Sequence, residues 1–214
     1  MRYLEGHFAP VDTELTAYDL PVTGRIPDEL VGRYVRNGPN PVDVPDPGTH
    51  VWGMGQGMVH GVRLRDGRAE WYRNRFVRVP GFAPMVHVIG HAGQTFAMAE
   101  GGLPPARLDD ELNTLGSCGL GATADGFTAG AHAKHDPRTG ELHALSYMPG
   151  RDVVQYIVTD PAGTVTRTVP IAMTRTPFLH DFALTGEHVV LWDTRWGSTV
   201  SSADGGQGTP PASA

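Results

Sequence analysis

The sequence predicts an all-β protein, and two observations support this prediction. The 214 residues include 28 glycines and 18 prolines, which favours a chain with many turns over a helical one. Short stretches of alternating apolar and polar residues recur along the chain, separated by glycine-bearing turns about every ten residues. Short strands at this spacing are typical of a sandwich, a barrel or a propeller. Because no clear internal sequence repeat is present, the pattern alone favours a propeller and a sandwich equally.

Turn signals and alternation together define the predicted strands. An irregular, proline-rich arm is expected over residues 1–30, a rigid turn at residues 38–41, and a loose, turn-rich region over residues 104–127. Asp66-Gly67 is a strong hairpin signal, because both residue types tolerate the positive φ of a tight turn. The predicted strands are, in chain order, residues 32–37, 58–65, 69–77, 85–90, 94–100, the two strands of a hairpin over 131–147, 153–159, 164–171, 178–184 and 187–192.

The hairpin over residues 131–147 carries several histidines. Side chains on a strand alternate between its faces, so His132 and His135 should point to opposite sides. Two histidines three residues apart can chelate one metal from a helix but not from a flat strand. A zinc site built from His132, His135 and His143 is therefore disfavoured, and metal-binding partners of His132 must come from elsewhere in the chain.

Two further residues are candidates for a site with His132. His180 lies among apolar residues in the predicted strand 178–184, and histidines on separate strands can converge if the sheets are arranged radially. On sequence shape alone, a single histidine in an apolar strand is more often a hydrogen-bonded core residue. Glu100 ends a predicted strand on which it shares a face with Phe96 and Met98, so it is expected to face the core, the alternative being an exposed acid at a strand end. Burying a carboxylate is costly unless it is paired.

Charge and cysteine content exclude some functions. The formal net charge of −6 leaves no basic footprint, so nucleic acid is not an expected partner. Cys118 is the single cysteine and cannot form an internal disulfide, which fits a reducing compartment. The N-terminal residues lack the apolar segment of a signal peptide, and no apolar run approaches the ~20 residues that span a bilayer. A cytoplasmic protein without a transmembrane segment is expected, which leaves room for peripheral membrane contact.

Five motifs in one order resemble the N-terminal part of the carotenoid cleavage oxygenase family, which includes bacterial lignostilbene dioxygenases. The resemblance covers residues 3–193, and the ordered set is highly specific although no single motif is. It departs from the family at Gln56, where an aspartate commonly precedes the Gly-Met pair. The motifs are Arg36-Asn37-Gly38-Pro39-Asn40-Pro41, Gly57-Met58-Val59-His60-Gly61, Glu100-Gly101-Gly102-Leu103-Pro104, the AHAKHDPRTGEL run from Ala131, and His180-Asp181-Phe182-Ala183.

The resemblance implies a seven-bladed β-propeller capped by loops, of which this chain supplies only a part. At roughly 40–50 residues per blade, 214 residues provide an incomplete propeller of about three to four blades. We therefore expect a partial oxygenase domain over residues 1–196. Residues 197–214 are rich in serine, glycine, proline and alanine and are expected to be a disordered tail. A truncated or frameshifted family member is the simplest interpretation.

The resemblance also implies a chemistry. Family members bind Fe(II) through four histidines, with O2 as the co-substrate, and cleave a conjugated C=C bond of a carotenoid, an apocarotenoid or a stilbene to carbonyl products. By motif, His132 matches the first iron ligand and His180 the second. Glu100 matches the residue that orients the second ligand through its other ring nitrogen. The expected partner is thus a small, apolar, conjugated substrate.

The competing hypothesis is a catalytically inactive fragment, because two imidazoles make a poor iron site. An open propeller would also expose unpaired strand edges, through which such a chain could self-associate. Among the other histidines, His60 is expected to be structural. His135, His143 and His188 are expected at surfaces or interfaces of strands. Four aromatic residues could line a substrate tunnel but are better explained by core packing, namely Trp52, Trp71, Tyr72 and Phe76.

Overall fold

The chain folds into short antiparallel strands that form successive sheets. This is seen in a computed structural model that describes residues 3–81, 84–175 and 177–192. Three sheets have four strands each, and a two-stranded sheet follows them. A short 3₁₀-helix, Gly6–Phe8, lies in the N-terminal arm. The predicted all-β fold is confirmed, and the architecture is a partial propeller of a few blades.

The first sheet contains the N-terminal strands. Its strands are β1 (Thr16–Tyr18), β2 (Gly32–Asn40), β3 (Gln56–Arg65) and β4 (Arg68–Phe76), in the spatial order β1-β4-β3-β2. β3 and β4 form the hairpin predicted from Asp66-Gly67, whose φ angles of 50° and 69° are those of a tight hairpin turn.

In the second and third sheets, strands that are consecutive in the chain are also neighbours in the sheet. The second contains β5 (His87–His91), β6 (Gln94–Met98), β7 (Ala106–Leu108) and β8 (Thr114–Ser117), in the order β5-β6-β7-β8. β7 and β8 lie in the region expected to be loose, because strands of three or four residues show little periodicity.

The third sheet and the hairpin after it complete the described fold. The third sheet contains β9 (Lys134–His135), β10 (Leu142–Tyr147), β11 (Val153–Thr159) and β12 (Val165–Ala172), in the order β12-β11-β10-β9. The two-stranded sheet pairs β13 (Phe182–Leu184) with β14 (Val189–Leu191).

The apolar core lies between successive sheets, as in a propeller whose blades pack face to face. One cluster joins the first and second sheets, a second joins the second and third, and a third joins the third sheet to the β13–β14 hairpin. Representative members are Val59, Trp71, Ala97 and Leu108 in the first cluster, Phe96, Met98, Leu142 and Ala144 in the second, and Leu145, Val154, Leu179 and Phe182 in the third. This arrangement decides between the two architectures that the sequence pattern left open.

The turn expected at residues 38–41 is wrong, because β2 continues to Asn40. Pro39 pairs with Gly57 in the ladder, although proline has no backbone N–H to donate. The strand tolerates it because β2 is the edge strand of its sheet. The Asn37 side chain donates a hydrogen bond to the Pro84 carbonyl (3.1 Å) and ties this edge to the second sheet.

The C-terminal boundary, the tail and the absence of a membrane span were the remaining expectations about the chain. The domain boundary at residue 196 and the disordered tail over residues 197–214 both lie outside those residues. Within them, none of the helical structure has the length and apolarity that a bilayer-spanning segment requires.

Candidate metal centre

His132 lies in a turn and not on a strand. Residues 131 and 132 form a turn and β9 begins only at Lys134, so the predicted alternation of His132 and His135 on one strand is wrong. The φ angle of His132 is 59°, in the left-handed region that costs a non-glycine residue about 1–3 kcal/mol. The two histidines are nevertheless separated: His135 contacts the buried His91 (Nε2 to Nδ1, 3.3 Å), whereas His132 faces His180.

Glu100 and His180 also lie outside the strands predicted to hold them. β6 ends at Met98 and β13 begins at Phe182, so both residues belong to connecting segments. A connection is free of the ladder geometry that dictates where a strand side chain points. The side chain of His180 is 67% exposed and that of Glu100 only 23%. An exposed imidazole therefore meets a mostly buried carboxylate.

The structure brings His132, His180 and Glu100 together. Each offers one ligand atom, and the three atoms lie within 4.8 Å of one another. The two imidazole rings have their centroids 4.5 Å apart, and His180 Nδ1 is 3.4 Å from Glu100 Oε2. These are the residues that the resemblance selects. Their assignment as metal ligands and orienting carboxylate stays a prediction.

Burial controls the protonation of the cluster. Burial raises the pKa of Glu100, and this is partly opposed by the hydrogen bond from Tyr147 and by the charge of His180. Burial also lowers the pKa of His132, and the positive charge of a protonated His180 lowers it further, while Asp181 opposes the shift. His132 is thus held in the neutral form, which is the form that binds a metal.

One buried polar atom of the cluster is left for a cation. Among the described residues, His132 Nε2 has no hydrogen-bond partner, whereas Glu100 Oε2 lies 3.4 Å from His180 Nδ1. A buried polar atom without a partner costs about 1–3 kcal/mol, so natural proteins rarely leave one. Imidazole nitrogen and carboxylate oxygen are both ligands of first-row transition metals. The donor set and the unpartnered Nε2 of His132 fit a bound divalent metal.

His87 is a neighbour that the sequence analysis missed. It is the first residue of β5, and its ring stacks on His132 at a centroid distance of 5.9 Å and an interplanar angle of 14°. Burial and the charge of Lys134 lower its pKa, so it too is held neutral. The sequence signal that could have found it is its position. His87 begins the first strand of its sheet, and His132 and His180 each lie two residues before the first strand of theirs.

The cluster opens into a cavity of about 540 Å³, with His132 and His180 in its wall. Apolar side chains from the arm and the first sheet form much of the lining, among them Phe8, Trp52 and Met58. Trp52 is 64% exposed there, whereas Trp71 is packed in the core, as expected. The described part of the cavity is therefore an apolar-lined depression beside the cluster.

Comparisons with known proteins agree on one family. The model of the family described as retinal pigment epithelial membrane protein (RPE65) matches residues 8–85 and 83–210. A carotenoid cleavage oxygenase of Mycobacterium tuberculosis is 48% identical, with 89% of this chain and 42% of that protein covered. Carotenoid 9,10(9',10')-cleavage dioxygenase 1 of Phaseolus vulgaris is 30% identical, with 90% of this chain and 44% of that protein covered.

Solved structures show the same relationship. The crystal structure of Pseudomonas brassicacearum lignostilbene dioxygenase superposes with a TM-score of 0.77 at 26% identity, covering 89% of this chain and 46% of that one. A Synechocystis apocarotenoid oxygenase shares the fold, with a TM-score of 0.73 at 21% identity over 85% of this chain and 47% of that one. The chain thus spans less than half the length of each of these relatives.

Proposed function

Because the chain belongs to the RPE65 family of carotenoid cleavage oxygenases, we propose that it is part of a non-haem iron(II) dioxygenase. The reaction would break one conjugated C=C bond of a carotenoid, an apocarotenoid or a stilbene. Both atoms of O2 enter the products, and each former alkene carbon becomes a carbonyl. The observation that supports this most is the His132–His180–Glu100 cluster at the wall of an apolar-lined cavity.

His132 and His180 would hold the iron through imidazole nitrogen. Neutral imidazole suits Fe(II), and burial keeps His132 neutral. When bound, the iron would supply the reactivity with O2 that the surrounding side chains lack. On His132, the nitrogen available to the iron is Nε2, which is buried and has no partner among the described residues.

Glu100 would orient His180 through the ring nitrogen that does not bind the metal. With His180 Nδ1 lying 3.4 Å from Glu100 Oε2, the carboxylate favours a proton on Nδ1. The lone pair of Nε2 is then free to bind a metal. Glu100 is mostly buried but His180 is exposed, so solvent partly screens this interaction.

The cavity would hold an elongated, apolar substrate next to the cluster. Phe8, Trp52 and Met58 present apolar surface on its wall. Burying such surface against a conjugated hydrocarbon is favourable at about 25 cal/mol per Å² removed from water. The chain's own part in the reaction is therefore to bind the iron, position the substrate and exclude water.

A second candidate is a chain that is catalytically inactive by itself. The observation that favours it is the donor set: the described residues bring two imidazoles and one carboxylate together, fewer imidazoles than the family's four-histidine site requires. The same cluster would then hold iron weakly, and cleavage would need ligands from outside the described residues.

Iron binding and cleavage activity, measured together, separate these candidates. The purified 214-residue chain is loaded anaerobically with Fe(II), its iron content and monodispersity are measured, and cleavage of carotenoid and stilbene substrates is assayed. We expect bound iron on a monodisperse species, and its loss in His132→Ala and His180→Ala. His188→Ala is the matched control, because His188 is also exposed and lies outside the cluster.

Each outcome decides one point. Iron that binds without cleavage activity would support the second candidate. Iron that is lost equally in His188→Ala would show that the cluster is not the binding site. A wild-type chain that takes up no iron would contradict the assignment of His132 and His180 as a sufficient site in these 214 residues.

A further inference from the structure

Tyr147 is a buried residue that contacts Glu100 on the side away from His180. It is the last residue of β10 and is only 6% exposed. Its hydroxyl donates a hydrogen bond to Glu100 Oε1 (3.0 Å), while the other oxygen, Oε2, lies 3.4 Å from His180 Nδ1. One carboxylate therefore connects a tyrosine of the third sheet to a histidine that precedes the fourth.

The backbone at Glu100 is fixed by close packing against β10. A Cβ added to Gly101, whose φ is 69°, would lie 3.1 Å from the Tyr147 carbonyl oxygen. A Cβ added to Gly102 would lie 2.9 Å from Ser146 Oγ. The Gly102 carbonyl also accepts a hydrogen bond from Thr128 Oγ1 (2.9 Å). Because these contacts restrain the backbone, the direction of the Glu100 carboxylate depends mainly on its side-chain torsions and on what holds them.

Tyr147 supplies that restraint as an obligate donor. Burial and the adjacent Glu100 raise the pKa of Tyr147 well above its ordinary value, so the hydroxyl keeps its proton. A neutral phenol gives its one proton to Oε1, and Oε2 is left as an acceptor facing His180. The tyrosine ring also packs edge-on against Phe178 (centroids 6.1 Å apart), which lies in the same connection as His180.

We propose that Tyr147 is a positioning residue that orients His180 through Glu100. By holding Oε1, it keeps Oε2 directed at His180 Nδ1, which favours the tautomer with the proton on Nδ1 and leaves Nε2 as the free nitrogen. The consequence for metal binding rests on the proposed function. The consequence for the tautomer of His180 does not, because it concerns the chain without metal.

The test compares Tyr147→Phe with the wild-type 214-residue chain, both metal-free. Labelling histidine with 15N lets long-range 15N–1H correlation spectra report the tautomer of His180. We expect mainly the Nδ1–H form in the wild type and a shift toward Nε2–H in the variant. We also expect the affinity for Fe(II) to fall about tenfold, the lower end of the range for residues that support metal ligands.

Tyr156→Phe is the matched control for this variant. Tyr156 lies on β11 of the same sheet, and its hydroxyl is hydrogen-bonded to His143 Nδ1 (2.6 Å) and not to the cluster. The same single oxygen is removed, so a loss of stability alone would affect both variants. We expect the His180 tautomer and the Fe(II) affinity to be unchanged in Tyr156→Phe.

An unchanged His180 tautomer in a folded Tyr147→Phe chain would overturn the proposal. If that variant does not fold, Glu100→Ala replaces it, with the 13Cζ shift of Tyr147 measured beside the His180 tautomer. Both signals should change together, and a change in only one would overturn the proposal. If the wild-type chain binds no Fe(II) but Tyr147→Phe still shifts the His180 tautomer, the result would contradict His132 and His180 as a sufficient iron site and leave the role of Tyr147 intact.

Discussion

Two histidine environments of the described structure can be compared, one within sheets and one where connections from different sheets meet. In the first sheet, His60 on β3 is hydrogen-bonded to the hydroxyl of Tyr72 on β4 (Nδ1 to O, 2.8 Å). In the third sheet, His143 on β10 is bonded in the same way to Tyr156 on β11 (2.6 Å). Both are diagonal cross-strand pairs, because each histidine is paired in register with the residue two positions beyond its tyrosine.

The metal cluster is built differently. His132, His180 and Glu100 come from connections between strands, and they meet where different sheets adjoin. In the diagonal pairs, a tyrosine hydroxyl is hydrogen-bonded directly to one imidazole nitrogen. In the cluster, the tyrosine satisfies a carboxylate, and His132 Nε2 has no partner among the described residues. The two diagonal pairs thus hold histidine against a tyrosine on the neighbouring strand, whereas the cluster brings two connection histidines together beside a carboxylate.

The largest effect is expected from a change that separates the sheets at the cluster. A Cβ at Gly130 would lie 2.4 Å from the Leu145 carbonyl oxygen and 2.6 Å from that of Gly101. Gly130→Ala should therefore lower the free energy of unfolding by roughly 3 kcal/mol, as overpacking against rigid backbone does. Denaturant unfolding measures the cost.

The same variant should break the cluster and spare the diagonal pairs. Moving the Gly101 backbone displaces Glu100, so Fe(II) binding should be lost, while the NMR signals of His60 should be retained. A Gly130→Ala chain with wild-type stability and Fe(II) affinity would show that the close approach of these segments does not hold the cluster together.

An intermediate effect is expected from acid, through His60. Burial, and to a lesser extent the charge of Arg36, lowers the pKa of His60 from 6.5 to about 4. The unfolded chain binds a proton on this residue below pH 6.5 and the folded chain does not, so protonation favours unfolding. The contribution is full above pH 6.5 and is lost as the pH falls toward 4. It should amount to about 2 kcal/mol, because partial exposure screens the shift.

The measurement is the free energy of unfolding at pH 7 and pH 4.5 for the wild type and for His60→Gln. The variant should be less sensitive to this change in pH by about 2 kcal/mol. His188→Ala serves as the control, because His188 is exposed and should leave the wild-type pH dependence in place. Equal pH dependence in all three chains would contradict the assignment to His60.

The smallest effects are expected within the diagonal pairs. Tyr72→Phe and Tyr156→Phe each remove one hydroxyl and should each cost about 1 kcal/mol, the net value of a hydrogen bond. Because the two pairs lie in different sheets, the double variant should cost the sum of the two. Thermal or denaturant unfolding measures this. A sum that is not additive, or a change in Fe(II) binding in either variant, would mean that these pairs are coupled to the cluster.

Much of the fold could be predicted from the sequence. The β3–β4 hairpin was predicted because Asp66-Gly67 and the alternation beside it act over a few residues. β11 was predicted to the residue, because Val153–Thr159 is a periodic run between turn signals. β7 and β8 were missed, since strands of three or four residues carry no such period.

The candidate site was predicted in part. His132, His180 and Glu100 were selected by their resemblance to a family's motifs, and the structure places them together, but all three were assigned to strands in which they do not lie. His87 and Tyr147 were not selected at all. Nothing local marks them, because their significance depends on which segments of other sheets they touch.

The sequence by itself determined the longer strands, the Asp66-Gly67 hairpin and the candidate residues, because alternation, turn chemistry and motif order are properties of neighbouring residues. Only the tertiary structure decided the left-handed turn at His132 and the connection from Tyr147 through Glu100 to His180. The physical reason is that these features arise where connections from separate sheets meet. Their geometry is set by the packing of the sheets on one another, which no local pattern encodes.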